Sequence, residues 1–385
     1  MLNFDFYNPT RIIFGTDTIA RIDEYVPLEA RVLVLYGGES ARKNGTLDEV
    51  RAALGGREIQ EFGGIEPNPS YETLMQAVEL IRAQQLDFLL AVGGGSVIDG
   101  TKFIAAAVNY QGDAWEILET HGSKIRQALP FASVLTLPAT GSEMNNGGVV
   151  TRKSTQTKLA FSSPHVFPQF SVLDPNKTYT LPVRQLANGV VDAFIHVMEQ
   201  YLTYPVNAQV QDRFAEGLLQ TLIDIGPKVV QDSADYDTRA NLMWAACMAL
   251  NGLIGAGVPQ DWSTHLIGHE LTALYGIDHA RTLAIVLPAN MQVRRAEKRE
   301  KLLQYAERVW HIVDGDEDQR IDAAIARTSS FFESLGLPTH LADYQLGTND
   351  IDTVIKQLEA HHLTQLGEHK TVSLELSRRI LNASL

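Results

Sequence analysis

The chain has 385 residues, of which 45% are hydrophobic and 20% are charged, and its formal net charge is -14. This composition allows two domains with separate cores, and it argues against a disordered chain and against nucleic acid or an anionic membrane as partner. The single cysteine, Cys247, excludes an internal disulfide and favours a reducing, cytoplasmic setting. The opening residues do not resemble a signal peptide, and no stretch approaches about 18 apolar residues, so we expect no membrane span.

The first half of the chain alternates short apolar runs with amphipathic segments. Aliphatic and β-branched runs predict strands at 31–36, 88–92 and 132–137, and small residues close each run. Apolar residues at helical spacing predict a helix over 70–84. This alternation is typical of a parallel α/β sheet, which binds ligands at the carboxyl ends of its strands.

After about Pro182 the pattern changes to long helical periods, which cover 184–202, 207–230, 236–253 and 262–275. The acidic stretch 314–320 is predicted to be a solvated surface turn. We therefore predict an α/β domain over residues 1–183 and an all-helical domain over residues 184–385. The loops and side chains described next give the first domain a dinucleotide-binding role and the second a metal-binding and catalytic role.

Two glycine-containing loops are candidates for the cofactor site. Gly93, Gly94 and Gly95 stand between a predicted strand and a predicted helix, where backbone can approach a pyrophosphate and a helix N-terminus can bind it. The spacing is not the usual G-x-G-x-x-G, and a plain tight turn is the alternative. The loop 137–148 offers Thr140 and Ser142 as partners for nicotinamide or ribose.

A third loop follows the first long strand and contains Gly37, Gly38, Glu39 and Ser40. An acidic residue here accepts hydrogen bonds from a ribose 2′-hydroxyl, and it would repel a 2′-phosphate. After screening by solvent, this repulsion would be about 1–2 kcal/mol, or about tenfold in affinity. Glu39 therefore favours NAD(H), unless its side chain lies in solvent or Arg42 and Lys43 offset its charge.

Two helical segments carry side chains suited to a metal ion. Asp192 and His196 are four residues apart, as are His265 and His269, so each pair shares one helix face, and His279 follows ten residues later. One carboxylate with three imidazoles suits Zn²⁺ or Fe²⁺ with a position left open for substrate. Helix-surface or core histidines are the alternative for either pair alone. The other histidines lack such partners and are predicted to be ordinary polar residues: His121, His165, His311, His340, His361, His362 and His369.

Together these motifs resemble the iron-containing (group III) alcohol dehydrogenases over the whole chain, and most closely the bacterial butanol-dehydrogenase-like, NADPH-dependent aldehyde reductases. The likeness rests on NPTRIIFG, GGGSVIDGTK, PATGSE, the Asp192 and His196 pair, and GHE…DHA. The resemblance implies a dehydroquinate-synthase-like fold, with an α/β nucleotide domain and a helical domain. It also implies a homodimer.

The resemblance assigns roles to individual residues. It implies that four side chains bind the metal, namely Asp192, His196, His265 and His279, and that His269 lies near the nicotinamide. It implies cofactor contacts from Gly94, Gly95, Ser96, Thr136, Thr140, Ser142 and Lys158. Asp99 and the loop residues Gly37, Gly38, Glu39 and Ser40 are our further candidates for the cofactor site. The NADPH-using relatives carry glycine where this chain has Glu39, which favours NAD(H) here. Family members use iron or zinc.

The predicted function is the interconversion of small primary alcohols and aldehydes, in which a bound metal polarises the carbonyl and a nicotinamide cofactor transfers hydride. His269 is a candidate for the proton relay. One alternative is a lyase or hydrolase like the cyclising dehydroquinate synthases, which would need a basic pocket. Trp262, Leu266, Phe194 and Leu253 around the ligands favour an uncharged substrate instead. A nucleotide-binding sensor without catalysis is the other alternative, and the full ligand set argues against it.

Overall fold

The computed structural model of the chain describes residues 1–231 and 235–385. Contacts among these residues divide the chain into two compact units. Residues 7–181 and 235–247 form what we call the sheet unit. Residues 1–6, 182–231 and 248–385 form the helical unit.

The strands, in chain order, are β1 Arg11–Phe14, β2 Arg31–Tyr36, β3 Glu58–Phe62, β4 Phe88–Gly94, β5 Phe131–Leu137, β6 Gly147–Arg152, β7 Thr157–Ser162, β8 Phe170–Leu173, β9 Gln365–Leu366 and β10 Val372–Ser373. The α-helices are α1 Ser40–Lys43, α2 Thr46–Leu54, α3 Tyr71–Gln84, α4 Gly95–Ala107, α5 Glu116–Glu119, α6 Val183–Tyr201, α7 Gln209–Gln231, α8 Tyr236–Ala249, α9 Ser263–Tyr275, α10 His279–Val293, α11 Arg299–Arg308, α12 Glu317–Ser334, α13 Thr348–Ala360 and α14 Leu374–Asn382. Short 3₁₀ helices cover Thr18–Glu24, Ser142–Met144, Lys153–Thr155, Pro164–Val166, Pro175–Thr178 and Leu341–Tyr344.

Six parallel strands form the main sheet, in the order β1-β8-β5-β4-β2-β3. From β2 the chain adds β3 on one side and then continues with β4 and β5 on the other side. The strand order therefore reverses between β2 and β4. Ligands of open α/β sheets bind outside the carboxyl ends of the strands at such a reversal. The loop that begins at Gly37 follows β2, and helix α4 begins at Gly95, directly after β4.

Apolar side chains cover both faces of this sheet. Leu33 and Leu35 of β2 belong to a core built with α3 and α4. Val32 and Val34 point to the opposite core, which α2 and Thr18–Glu24 complete. Because both faces are buried, the central strands are continuous apolar runs rather than alternating ones.

The predicted α/β fold is confirmed, and its predicted elements are present. The runs at 31–36, 88–92 and 132–137 are β2, β4 and β5, and the helix predicted over 70–84 is α3. Ser70 caps α3 by accepting a hydrogen bond from the Thr73 N–H. The sequence did not reveal β1 and β3, because these edge strands are partly exposed and lack a continuous apolar run.

The predicted helical second half is also confirmed, apart from the two-residue antiparallel pair β9–β10. Helix α8 ends at Ala249, four residues before the predicted end. The surface turn predicted over 314–320 is wrong for residues 317–320. There Asp316 and Gln319 form a capping box, and this box starts α12 at Glu317.

Two segments belong to a different unit from the residues next to them in the sequence. Residues 1–6 join the helical unit, where the Leu2 N–H donates to the Gly257 carbonyl at 2.9 Å. Residues 235–247 join the sheet unit, where Trp244 packs edge-on against Phe14 with ring centroids 6.0 Å apart. The division into folding domains at residues 183 and 184 stays a prediction. Within the described ranges, no helix is long and apolar enough to cross a bilayer.

Candidate metal centre and cofactor loops

The glycines between β4 and α4 are explained by close packing. A Cβ at Gly93 would lie 2.6 Å from Val97 Cγ2, and one at Gly95 would lie 2.2 Å from Thr140 Oγ1. The backbone after β4 therefore lies directly against the loop that follows β5. The glycine run alone does not indicate a nucleotide, since packing already requires it. The argument for a nucleotide site rests instead on where these glycines lie. They stand at the strand-order reversal and at the start of the 13-residue helix α4.

The predicted cofactor residues after β5 are linked to α4 by hydrogen bonds. The Ser142 N–H donates to Thr140 Oγ1 at 3.2 Å, and Ser142 Oγ donates to Asp99 Oδ1 at 2.5 Å. The other oxygen of Asp99 accepts from the Val149 N–H at 3.0 Å. Asp99 thus holds the loop in place, and Thr136 is half-buried at the carboxyl end of β5.

A second group of hydrogen bonds connects Ser96 and Lys158. The Asn68 N–H donates to Ser96 Oγ at 3.3 Å, and Lys158 Nζ donates to Asn68 Oδ1 at 2.9 Å. Sequence reasoning missed Asn68, whose left-handed φ of 56° marks a tight turn, and the buried Lys102. Lys102 Nζ donates to Asn145 Oδ1 and to the Gly147 carbonyl, both at 2.7 Å. Ser96 at the start of α4 and Lys158 of β7 are therefore linked through Asn68 in the sheet unit.

Glu39 stands at the start of the short helix α1, and its side chain is 64% exposed. Its Oε2 lies 3.6 Å from Arg42 Nε. The same guanidinium donates to the Tyr36 hydroxyl and to Glu61 Oε2 at 3.2 Å. Arg42 is therefore shared between two carboxylates and offsets only part of the Glu39 charge.

Three helices of the helical unit bring the predicted metal-binding side chains together. Asp192 and His196 lie on α6, His265 and His269 on α9, and His279 is the first residue of α10. The start of α10 is held to α6, because Asp278 Oδ2 accepts from Arg184 Nε at 2.8 Å and from Asn188 Nδ2 at 3.0 Å. These bonds fix the position of His279.

Three of the four predicted ligands, Asp192, His265 and His279, offer atoms that all lie close to one another, and His196 lies near Asp192. Asp192 Oδ1 is 3.7 Å from His279 Nε2 and 3.9 Å from His196 Nε2. One ligand atom from each of Asp192, His265 and His279 lies within 4.8 Å of the others. The ring of His196 stacks on that of His265 with centroids 4.8 Å apart. Tetrahedral ligands about 2.0–2.2 Å from a zinc ion would be separated by roughly 3.4 Å.

The donor set fits a divalent cation. Asp192 is almost fully buried, and its Oδ1 accepts no hydrogen bond from the residues that the structure describes. An ionised carboxylate in that state is unfavourable unless a cation neutralises it. Imidazole nitrogens and a carboxylate oxygen are ligands that suit both Zn²⁺ and Fe²⁺.

His269 and Trp262 flank this cluster. The ring centroid of His269 is 5.0 Å from that of His279 and 6.3 Å from that of His265. Trp262 packs edge-on against His265 at 5.0 Å, and its φ of 62° is uncommon for a large side chain. Such backbone conformations concentrate at functional sites. Trp262 thus supplies an apolar surface beside the candidate ligands.

Another predicted apolar neighbour lies elsewhere. Phe194 has no exposed surface and packs against Phe331 and Phe332, with centroids 5.6 and 5.4 Å away. It points to the helical core because it is two residues from Asp192 and so faces another side of α6. The suggestion that Phe194 surrounds the ligands is therefore wrong.

The histidines outside the cluster have other surroundings. His361 Nδ1 lies 2.8 Å from Glu270 Oε1, and His369 stacks on Tyr204 at 4.4 Å. His340 is exposed and takes part in capping Leu341–Tyr344. Among the described residues, the side chains grouped closely enough to hold a metal ion are Asp192, His265 and His279, and none of these three other histidines belongs to that group.

Sequence reasoning missed Glu199, which is three residues beyond His196 on α6. Its Oε1 accepts from the His265 backbone N–H at 3.0 Å and lies 3.1 Å from His265 Nδ1. Burial and then the Asp261 carboxylate raise the pKa of Glu199 above its usual range. The spacing of Asp192, His196 and Glu199 places all three on one side of α6 and could have drawn attention to it.

A parallel sheet with loops at its strand-order reversal, where open α/β sheets bind nucleotides, and a buried aspartate–histidine cluster in the helical unit are the arrangement expected of a metal-dependent, nucleotide-binding enzyme. Residues 9–175 match the iron-containing alcohol dehydrogenase family, and residues 186–382 match the C-terminal family of Fe-containing alcohol dehydrogenases. The chain belongs to the iron-containing alcohol dehydrogenase family.

Similar proteins cover the full length. The NADPH-dependent aldehyde reductase YqhD of Escherichia coli is 62% identical over 386 residues, covering 100% of both chains. The probable NADH-dependent butanol dehydrogenase 1 of Bacillus subtilis is 42% identical over 390 residues, again with 100% of both.

The solved structures agree. The crystal structure of Escherichia coli YqhD has a TM-score of 0.99 at 61% identity, and it covers 100% of this chain and 99% of that one. The NADH-dependent butanol dehydrogenase A of Thermotoga maritima has a TM-score of 0.95 at 34% identity, with the same coverage. The chain is thus an NAD(P)-dependent oxidoreductase of alcohols and aldehydes, as predicted.

Proposed function

We propose that the chain binds one divalent metal through Asp192, His196, His265 and His279, and that it reduces small aldehydes to primary alcohols. The observation that carries this proposal is the position of Asp192 Oδ1, which lies 3.7 Å from His279 Nε2 and 3.9 Å from His196 Nε2. When bound, the metal would supply a Lewis acid for a carbonyl oxygen, and the nicotinamide would supply hydride.

The protein's own contribution is binding, orientation and proton transfer. Asp192 would neutralise part of the metal charge, and the three histidines would hold the ion. His269 is the imidazole next to this set, and we assign it the last position of the proton relay to the alcohol oxygen. The apolar ring of Trp262 favours a short, uncharged substrate over a phosphorylated or acidic one. This agrees with the butanol dehydrogenases among the relatives.

The cofactor is proposed to lie along the loops of the sheet unit. The N–H groups of Gly95 and Ser96 at the start of α4 would bind the pyrophosphate, after Gly94. Thr136, Thr140, Ser142 and Lys158 are the other proposed cofactor contacts. Asp99 is proposed to contribute by holding the loop that carries Ser142.

We propose that NADH is preferred over NADPH because of Glu39. The carboxylate is exposed, and it would accept hydrogen bonds from a ribose 2′-hydroxyl but repel a 2′-phosphate. The named relatives include both NADPH-dependent and NADH-dependent enzymes, so family membership leaves the choice open. We also propose a homodimer, which light scattering of the purified protein would test.

The decisive experiment is a matrix of NADH and NADPH against short aldehydes, on protein reconstituted separately with iron and with zinc. We expect metal-dependent oxidation of NADH by butanal, with a lower kcat/KM for NADPH. Turnover in the metal-free protein that equals turnover in the loaded protein would overturn the metal proposal. A strong preference for NADPH would overturn the proposal for Glu39 alone.

A further inference from the structure

Glu199 of α6 makes two contacts to one candidate metal ligand. Its side chain is 2% exposed, and its Oε1 accepts a hydrogen bond from the His265 backbone N–H at 3.0 Å. The same oxygen lies 3.1 Å from His265 Nδ1. One carboxylate oxygen thus contacts both the main chain and the imidazole of His265.

These contacts specify which ring nitrogen of His265 carries the proton. Oε1 already acts as an acceptor for a backbone N–H, so it is best placed to accept from the ring as well. Nδ1 is then the protonated nitrogen. A neutral imidazole has one donor nitrogen and one lone-pair nitrogen, so Nε2 is the nitrogen with a lone pair for a cation.

Glu199 and the start of α9 are held in place by buried charges. The Asp261 N–H donates to the Glu199 carbonyl at 2.9 Å, and Asp261 Oδ1 accepts from the Ser263 N–H at 3.0 Å. Asp261 in turn pairs with Arg294 and with Lys298, whose Nζ is 2.7 Å away. The turn that carries His265 therefore cannot move without breaking buried ion pairs.

We infer that Glu199 is a positioning residue of the metal centre, which fixes His265 in the Nδ1–H form and presents its Nε2 to the cation. This inference rests on the ligand set proposed above. A carboxylate behind an imidazole ligand orients the ring and increases its basicity, and its loss typically weakens metal affinity roughly 10–100-fold.

The test measures zinc affinity in the full chain by competition with a chromogenic chelator. Glu199→Leu removes the acceptor, and we expect the larger loss, roughly a hundredfold. Glu199→Gln keeps an acceptor oxygen but removes the charge, so the loss should be roughly tenfold. The visible spectrum of the Co²⁺-loaded Gln variant should also shift from that of the wild type, which a purely structural role would not cause.

Glu270→Gln is the matched control. Glu270 is a carboxylate of α9 with a side chain 4% exposed, and it contacts His361 Nδ1 at 2.8 Å, which is the same chemistry away from the cluster. We expect its zinc affinity and cobalt spectrum to equal those of the wild type. Equal losses in Glu270→Gln and Glu199→Gln would overturn the inference, and so would wild-type affinity in Glu199→Gln. Both outcomes are readable even if Glu199→Leu fails to fold.

A His265→Ala arm separates this inference from the proposal beneath it. If His265→Ala binds zinc as tightly as the wild type, the proposed ligand set is wrong. If His265→Ala loses zinc while Glu199→Gln keeps wild-type affinity and spectrum, the ligand set stands and only the role of Glu199 fails.

Discussion

Asp192 carries the negative charge of the candidate ligand set, and the histidines around it come from three helices. Each ligand occupies one position around a small cation, so removal of one imidazole leaves an incomplete set. The remaining carboxylate would then stay buried with less compensation. Single substitutions should therefore affect metal binding and activity together.

We expect His265→Ala and His279→Ala to lose bound metal and turnover in parallel. Loss of a residue that only hydrogen-bonds to a metal ligand typically lowers metal affinity or activity roughly 10–100-fold. Loss of a ligand itself should therefore lower kcat/KM at least about a hundredfold. Metal content by atomic emission and aldehyde reduction would be measured on the same samples. His369→Ala removes an exposed histidine that stacks on Tyr204 and serves as the control. Full metal occupancy in either variant removes that residue from the ligand set.

The second residue-scale prediction concerns Glu39→Gly. Removing this exposed carboxylate should shift the ratio of kcat/KM for NADPH and NADH about tenfold towards NADPH, which corresponds to about 1–2 kcal/mol. The shift should shrink as salt is added, because the charge is exposed. Glu39→Gln separates charge from size and should give most of the effect. An unchanged ratio in both variants would mean that Glu39 does not contact the ribose 2′ position of the cofactor.

At this scale the sequence predicted side chains that lie close along one helix. Asp192 with His196, and His265 with His269, are neighbours because the helical period places residues four apart on one face. The contact of Glu199 with His265 joins residues that are 66 apart in the chain, and no local period encodes it. The role of Asp99 in holding Ser142 was hidden for the same reason.

At the scale of elements, the connection between β4 and α4 depends on backbone packing. The absent Cβ of Gly95 leaves the space that Thr140 fills, so the loops after β4 and β5 can touch. From the sequence alone we assigned these glycines to nucleotide binding, because Thr140, against which Gly95 packs, lies 45 residues further along the chain. The central strands β2, β4 and β5 were predictable as continuous apolar runs, whereas the buried four-residue strand β8 and the edge strands β1 and β3 were not.

We expect Gly95→Ala to lower the free energy of unfolding by about 1–3 kcal/mol, since an overpacked site must shift side chains or backbone. Gly217→Ala in α7 is the matched control, because its Cβ would meet no atom within 4 Å. That change should stabilise the helix by about 0.5–1 kcal/mol. Urea unfolding would measure both. Equal effects of the two substitutions would show that the contact with Thr140 is not needed.

At the scale of the whole molecule, the helical period predicted α8 but not the core it joins. Residues 235–247 pack with the sheet unit, and Cys247 belongs to one of its two cores. The apolar face of a helix does not specify which partner buries it. The same limit applies to residues 1–6, whose place in the helical unit depends on backbone hydrogen bonds such as that from Leu2 to Gly257.

Glu143 couples the stability of the fold to pH. This carboxyl is fully buried in the sheet unit. Burial raises its pKa to about 7, against smaller opposing effects of its own backbone N–H, the Cys247 thiol and the Lys102 ammonium. The folded state therefore holds this proton more tightly than the unfolded state. The resulting stability is complete below the unfolded pKa of about 4.5 and is lost as pH rises through 7.

We therefore expect Glu143→Gln to gain stability over the wild type as pH rises. The difference in free energy of unfolding should grow by roughly 3 kcal/mol between pH 4.5 and pH 8, in favour of the variant. Lys102, whose pKa burial lowers to about 8, contributes at higher pH, so it does not reverse this trend. Glu58→Gln is the control, because its hydrogen bond to Arg31 lowers the pKa of Glu58 and confines its effect to more acidic solutions. A difference between Glu143→Gln and wild type that stays constant from pH 4.5 to 8 would show that Glu143 titrates alike in the folded and unfolded chains.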